Sequence, residues 1–331
     1  MALKGQRSSR LQRMAMTHAM ICAAACGAIL ALGYGAHAQT MGIATMQPGT
    51  LNHTTGTAIA KVLKAQAGLN VLVQPTAGET VILAIVGKGE ADFGMANAPE
   101  VGMALGGGAK TNVRLIGAIY PLRSALWVRK DSAMQTVADL KGRRVPLGFS
   151  AMRALDGLVR AILATGGLDE TTVQPARVPN LIRGTDDFIS GSADAFFFAF
   201  GAPKVREVDV SVGGTRVLSL PDKPGMAGAS KVSPFGYATT VKPGPVFIGV
   251  DKPMDIYTVD NIMFTHAGVP DDVVYKAIEA MVKGKDDLVA IAPPLREFEA
   301  SQMYKDYKFE YHPGALKYFK ENGIAARSLQ Q

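Results

Sequence analysis

Cysteine is almost absent. The 331-residue chain holds two, Cys22 and Cys26, both within its first forty residues. A scaffold stapled by disulfides is excluded. Beyond residue 40 so are thiol nucleophiles, Cys-ligated zinc and iron–sulfur clusters. Charge is sparse as well, 19% of residues with a net +7, against 48% hydrophobic residues. That balance excludes an intrinsically disordered chain. No basic cluster with interleaved aromatics occurs, so no nucleic-acid partner is expected. Long apolar runs are missing except for one at the N-terminus, which excludes a polytopic membrane protein. Also missing are a G-x-S-x-G elbow, an H-E-x-x-H pair and a paired-carboxylate motif, so the chain does not read as an enzyme. His53, His266 and His312 form no local pair, and neither a metal site nor a cofactor is expected.

What is present begins with a three-part leader. Lys4, Arg7, Arg10 and Arg13 form a basic start without an acid. Residues 14–32 are apolar, and Ala36-His37-Ala38 is a small-x-small cleavage signal. This order predicts a secretory signal peptide over residues 1–38 and export to the periplasm. Gly33 and Gly35 interrupt the apolar run, which argues against an uncleaved anchor. Losing the leader's four basic residues lowers the net charge to about +3.

The remaining chain reads as alternating strands and helices. A strand at 41–45 runs into the small polar loop 45–50, and a helix follows from about residue 55, with Ala58, Ile59, Val62 and Leu63 on one face and Gly68 at its end. A strand at 69–74, a helix at 79–86 and a buried strand at 93–96 come next, then strands at 113–120 and 125–129. The pattern repeats with a short helix at 136–140, a strand at 144–148, a helix at 153–164 and an apolar strand at 195–200. Trp127 is expected in the core, and residues 221–253 in a loop. Such alternation implies parallel sheets covered by helices on both faces.

Two segments share a design, Gly89-Glu90-Ala91-Asp92-Phe93 and Gly191-Ser192-Ala193-Asp194-Ala195-Phe196. Each follows a helix and opens a buried strand, which suggests two lobes built on one plan. Ligands of such sheets bind beyond the carboxyl ends of the strands, where helix N-termini and small residues present backbone N–H groups.

Four motifs carry a family resemblance. They are Gly42-Ile43-Ala44-Thr45 with Gly49 and Gly56; Gly78 followed by Gly89-Glu90-Ala91-Asp92-Phe93-Gly94; Asp139-Leu140-Lys141-Gly142-Arg143-Arg144-Val145; and His312-Pro313-Gly314-Ala315 with Tyr318 and Glu321-Asn322-Gly323-Ile324. With these the chain resembles the solute-binding subunits of tripartite ATP-independent periplasmic (TRAP) transporters, of the TAXI subfamily, over nearly all of residues 41–325. It departs from that pattern at Asn52 and His53, at Glu79 where the family usually has Ser, at Asn97-Ala98-Pro99 and at Gly148-Phe149-Ser150-Ala151.

The resemblance implies an α/β, type II-like periplasmic binding protein of two lobes with a ligand cleft between them. Residues 39–122 plus 240–331 would form the first lobe and 123–239 the second. Its partners would be a small organic anion, a carboxylate or an amino acid, and TRAP-type permease subunits, the binding protein itself being a monomer. A binding subunit of an ABC or tripartite tricarboxylate transporter is the alternative, and an exported enzyme on the same fold a further one. Site residues are expected at strand ends and helix starts: Thr45, Thr50, Gly78, Glu79, Thr80, Asn97, Ser150, Ala151, Gly201 and Ala202, with His53, Arg123, Arg153 and Tyr257 as further candidates. Glu79 either caps its helix or meets the ligand, and as a ligand contact it favours a donor or positive group over a bare dicarboxylate.

Overall fold

A computed structural model describes residues 40–107, 111–220 and 224–329; the expected signal peptide lies outside them. Strand β1 (Met41–Thr45) is buried along its whole length and pairs in parallel with β2 (Val71–Pro75) and β3 (Phe93–Asn97). The intervening helices are α1 (Leu51–Ala67), α2 (Glu79–Gly87) and, after β3, α3 (Ala98–Leu105). Helix α1 starts four residues earlier than its apolar periodicity suggests, because the Thr50 hydroxyl accepts from the His53 N–H and caps it. It ends where Gly68 takes the left-handed conformation.

The next strand is continuous where the sequence suggests two. Strand β4 (Val113–Arg129) runs through Pro121 without a break. Against its antiparallel neighbour β10 (Met254–His266) it carries two bulges, with Ile119 and Ile116 as the extra residues opposite Asn261/Ile262 and Met263/Phe264. These two long strands join the halves of the sheet. The far end of β10 pairs with β3, and the first half of β4 pairs with β10. The last residues of β4 pair instead with β7 (Phe196–Ala199) and β8 (Thr215–Val217), and the start of β10 with β9 (Tyr237–Val241). The resulting eight-stranded order is β2-β1-β3-β10-β4-β7, with β8 on β4 and β9 on β10. A separate parallel pair is formed by β5 (Arg144–Leu147) and β6 (Gln174–Arg177).

Helices α4 (Arg153–Thr165), α5 (Leu181–Ile189), α6 (Pro203–Ser211) and α7 (Pro224–Val232) belong with β5–β8. Residues 221–253 are therefore not one loop: α7 and β9 lie within them. Helix α4 buries Leu155, Leu158, Val159 and Ile162, the stripe read from the sequence. After β10 the chain forms α8 (Asp271–Lys283), α9 (Lys285–Ile291), a 3₁₀ turn (Pro293–Glu297), the short α10 (Ala300–Met303) and α11 (Pro313–Glu321). Trp127 is fully buried, stacks on Phe196, and donates from Nε1 to the Ile248 carbonyl at 2.9 Å.

The paired design noted in the sequence is an internal repeat of hydrogen bonds. Asp92 N–H donates to the Gly42 carbonyl, and Asp92 Oδ2 accepts from Gly42 N–H at 2.7 Å. Asp194 N–H donates to the Arg144 carbonyl, and Asp194 Oδ2 accepts from Arg144 N–H at 2.8 Å. Both carboxylates lie 50 residues after the strand residue they hold. Gly89 and Gly191 turn into the two segments with φ of 75° and 79°, a region that glycine enters without strain. Among the described residues, no helix is long and apolar enough to cross a membrane.

Candidate functional site

At the carboxyl ends of β1 and β3, and against the middle of β4 and β10, lies a small cavity of about 30 Å³. Its polar side is contributed by α1 and the sheet: Thr50, Asn52, Glu79, Asn97, Tyr120, Ser124 and Asn261. Its apolar side comes largely from the second half of the chain, with Met152, Leu155, Leu158, Leu181, Phe197 and Phe198. No lysine, arginine or histidine lines it. Such a volume holds only one or two water molecules.

The polar groups form a row across the sheet. In the strand register Asn261 of β10 stands opposite Asn97 of β3 on one side and Tyr120 of β4 on the other. Glu79, in the first turn of α2, closes the row. Its Oε2 accepts from Asn97 N–H at 3.1 Å and from the Asn97 side-chain amide. Asn97 is thereby saturated, since its Oδ1 also accepts from Glu100 N–H and caps α3. Asn52 accepts from Met46 N–H, donates to the Met95 carbonyl, and has a second amide N–H for Glu79. Two buried polar atoms of the row have no partner within the protein, Tyr120 Oη and Asn261 Oδ1. The neighbouring Thr55 hydroxyl donates instead to the carbonyls of its own helix.

Burial, and after it the charge of Glu100, pushes the Glu79 carboxyl up to about 8, against the opposing pull of the Asn97 and Asn52 hydrogen bonds. At neutral pH Glu79 is thus largely protonated. Burial also pushes the Tyr120 hydroxyl up, against the pull of the neighbouring Thr55 hydroxyl and with a smaller push from Glu79, so it stays a neutral donor and acceptor.

Contacts between the two halves surround this cavity. Glu100 Oε2 accepts from Ala154 N–H at 2.9 Å, at the N-terminus of α4, while its Oε1 accepts from the Thr80 hydroxyl. Thr80 Oγ1 in turn accepts from Arg153 N–H at 3.3 Å. Gly78 packs against the Ala151 carbonyl so closely that a Cβ there would lie 2.2 Å from its oxygen. Lys204 N–H donates to the Gly49 carbonyl at 3.1 Å.

Of the residues expected from sequence, Thr50, Glu79 and Asn97 line the cavity. Gly78 and Thr80 lie beside it, in the contacts between the halves. Thr45 is buried with its hydroxyl donating to the Met46 carbonyl and 3.0 Å from His53 Nδ1, so those two side chains satisfy each other. Ser150 is exposed and the Ala151 N–H donates to the Pro179 carbonyl. Gly201 and Ala202 stand outside the lining, the Ala202 N–H donating back to Ala199. The Arg153 side chain is exposed. Tyr257 is buried away from the cavity, its hydroxyl directed at the Ser233 carbonyl and packed against Gly236.

Arg123 lies in a different cavity, of about 210 Å³, lined also by Tyr237, Asp260, Glu297 and Lys305. The larger volume is not the better site, because its charges are already matched. Arg123 is bidentate on Glu297. Asp260 accepts from Lys305 Nζ at 2.8 Å on both oxygens and from the Tyr237 and Tyr307 hydroxyls. This network ties the C-terminal segment to β4 and β10. Among the described residues, no cluster of three or more His, Cys, Asp or Glu could hold a metal.

Tyr120, Asn261, Asn52 and the apolar wall were not among the sequence-derived candidates. Asn52 follows the Gly/Thr-rich loop directly and could have been found there. Tyr120 and Asn261 sit in mid-strand, where alternation alone carries no signal for a site.

The chain belongs to the NMT1-like family, whose model matches residues 43–323. In fold it is similar to PhnD1 from Prochlorococcus marinus, solved in complex with methylphosphonate. The TM-score is 0.54 and the identity 10%, over 87% of this chain and 100% of that one. It also aligns with the alkanesulfonate-binding protein SsuA from Xanthomonas axonopodis pv. citri bound to MOPS (TM-score 0.48, 16% identity, 78% and 84% covered). A third is the amino acid ABC transporter substrate-binding protein AbpA from Streptococcus pneumoniae bound to L-arginine (0.49, 13%, 78% and 96%). The fold is the two-lobe α/β fold that PhnD1 also has.

Proposed function

We propose that this protein is a periplasmic solute-binding subunit that captures one small molecule by lobe closure and hands it to a membrane transporter. The observation that carries this reading is the position of the cavity. It lies at the strand ends, between a polar floor and an apolar wall drawn from opposite halves of the chain. The lobes we assign are residues 39–122 plus 240–331 and residues 123–239, with β4 and β9 passing between them. Closure lowers the free energy of the liganded form and offers the transporter a shape that the open form lacks. The solute is received at Thr50, Glu79, Asn97, Tyr120 and Asn261.

The motif at His312–Ala315 favours a TRAP-type, ATP-independent permease as the partner. Its two non-proline polar features have structural reasons. His312 caps α11 through Nδ1 and its Nε2 bonds the Val269 carbonyl, while Gly314 sits where a Cβ would lie 2.2 Å from the Asp271 carbonyl oxygen. An ABC permease is the second reading, and AbpA is an ABC transporter subunit by its description. A thermal-shift screen of amines, carboxylates, amino acids and sugars tests the binding role, since a ligand of the native state raises Tm. Saturable one-to-one binding without turnover is expected; turnover, or no shift by any class, would defeat it. Uptake that persists after ATP depletion supports the TRAP partner, and uptake abolished by depletion the ABC one.

A further inference from the structure

The resemblance implies an organic anion, yet the cavity is built for the opposite charge. No cationic side chain lines it. The charge of Glu100 opposes the ionisation of Glu79 beside the floor. The helix start best placed to receive an anion from the second lobe is that of α4, and the chain fills it with its own carboxylate: Glu100 accepts from Ala154 N–H. The starts of α1 and α3 are likewise capped, by the side chains of Thr50 and Asn97. An arriving carboxylate would find these N–H groups taken, and at the start of α2, whose N-cap Gly78 offers no side chain, it would meet Glu79.

The unsatisfied groups of the floor are oxygens. Asn261 Oδ1 can only accept, and Tyr120 Oη accepts or donates. They belong to residues paired in register on adjacent strands, and Glu79 is held by Asn97, which stands on the other side of Asn261. Three oxygens from two strands and a helix start suit the three N–H donors of one ammonium. Leu155, Leu158, Phe197 and Phe198 leave the opposite wall apolar.

We propose that the solute is a primary amine on a small apolar body, without a free carboxylate. Its ammonium is received by Glu79, Asn261 and Tyr120, and its body by the apolar wall of the second lobe. This rests on the solute-binding reading above and adds the solute's class. When the lobes part and the amine enters as its ammonium ion, Glu79 releases its proton to solvent and its carboxylate forms an ion pair with that ammonium. The other titratable and charged groups facing Glu79 are Glu100 from α3 and Tyr120 from β4; neither supplies a positive charge.

Calorimetry on the purified protein with matched probes tests this. Isoamylamine, isoamyl alcohol and 4-methylpentanoate share a body and differ in the head, as do phenethylamine, phenethyl alcohol and 3-phenylpropanoate. Each amine should bind more tightly than its carboxylate by about tenfold or more, the scale of a hydrogen bond to a charged group. Glu79→Gln should erase that preference. Tyr120→Phe, which keeps the packing, should weaken the amines several-fold and leave the carboxylates unmoved. A carboxylate that outbinds its amine, or a preference that survives Glu79→Gln, overturns the proposal and leaves the solute-binding role intact. If no probe binds and no small molecule is released when natively purified protein is denatured, both readings fail.

Discussion

Glu79 occupies a helix start, where a carboxylate normally meets the positive end of the dipole and the free N–H groups of the first turn. Here its hydrogen bonds run to Asn97 on the neighbouring strand instead. It therefore fixes the cleft floor more than it caps α2, whose N-cap Gly78 offers no side chain. The cost of that placement is readable as a pH dependence. The carboxyl ordinarily titrates near 4.5, and in the fold it is pushed up to about 8. Between those values the folded chain keeps a proton that the unfolded chain releases. Stability attributable to Glu79 therefore falls as pH rises through the window and levels off above about 8. The slope is at most about 1.4 kcal/mol per pH unit. Glu79→Gln removes the titration, so wild type should lose ground to the variant between pH 5 and 8 in parallel denaturant melts. Parallel curves for the two proteins across that range would mean that Glu79 is ionised in the fold. The sequence shows Glu79, Thr50 and Asn97 as candidates because they stand at element boundaries, where loop chemistry marks them. Tyr120 and Asn261 are hidden because their exposure to the cleft depends on where β4 and β10 lie side by side, a fact of tertiary pairing. The partner of Arg123 is hidden for the same reason: its place near a strand end says nothing of Glu297, which reaches it from 174 residues away.

At the scale of elements, the repeat of Asp92 and Asp194 explains why so much of the strand-helix order is legible. Each half needs a helix, a left-handed glycine and an acid that returns to the first strand, and this combination is local in sequence. The returning bond is not local, and it carries stability. Each carboxylate accepts a backbone N–H that would otherwise lack a partner in its strand. Asp92→Ala and Asp194→Ala should each cost about 1–3 kcal/mol, the penalty for orphaning such a group, while Asp→Asn, which keeps an acceptor oxygen, should cost less. Urea melts of the four variants check this. An Asp→Ala cost no larger than the Asp→Asn cost would show that water replaces the carboxylate freely. What the local pattern misses is equally physical. Strand β4 is continuous because β10 pairs with it on both sides of Pro121, which stands opposite Asp260 in regular register, and no feature of residues 113–129 announces that partner. The elements within 221–253 escape for another reason: α7 is a short glycine- and serine-containing helix, whose apolar spacing is too brief to stand out.

For the whole molecule, closure is the property to perturb, and two glycines separate it from folding. Gly78 has φ and ψ near 180°, extended backbone that alanine adopts freely. What excludes a side chain there is its neighbour: a Cβ would lie 2.2 Å from the Ala151 carbonyl oxygen and 2.6 Å from Met152 Cγ. These atoms belong to the other lobe in the division proposed above, so parting the lobes relieves the clash. Gly314 meets an equally close atom, the Asp271 carbonyl oxygen at 2.2 Å, but there α11 packs on α8 within one lobe. Opening the cleft gives it no relief. Gly78→Ala should therefore leave Tm nearly unchanged, enlarge the radius of gyration in small-angle scattering, and weaken solute binding in proportion to the lost closed population. Gly314→Ala should lower Tm and leave the radius of gyration of the folded fraction as it was. Swapped outcomes, with Gly78→Ala unfolding the protein at unchanged size, would mean that the contact at Ala151 belongs to a rigid core. A preformed pocket would then replace lobe closure as the way in which the solute is held.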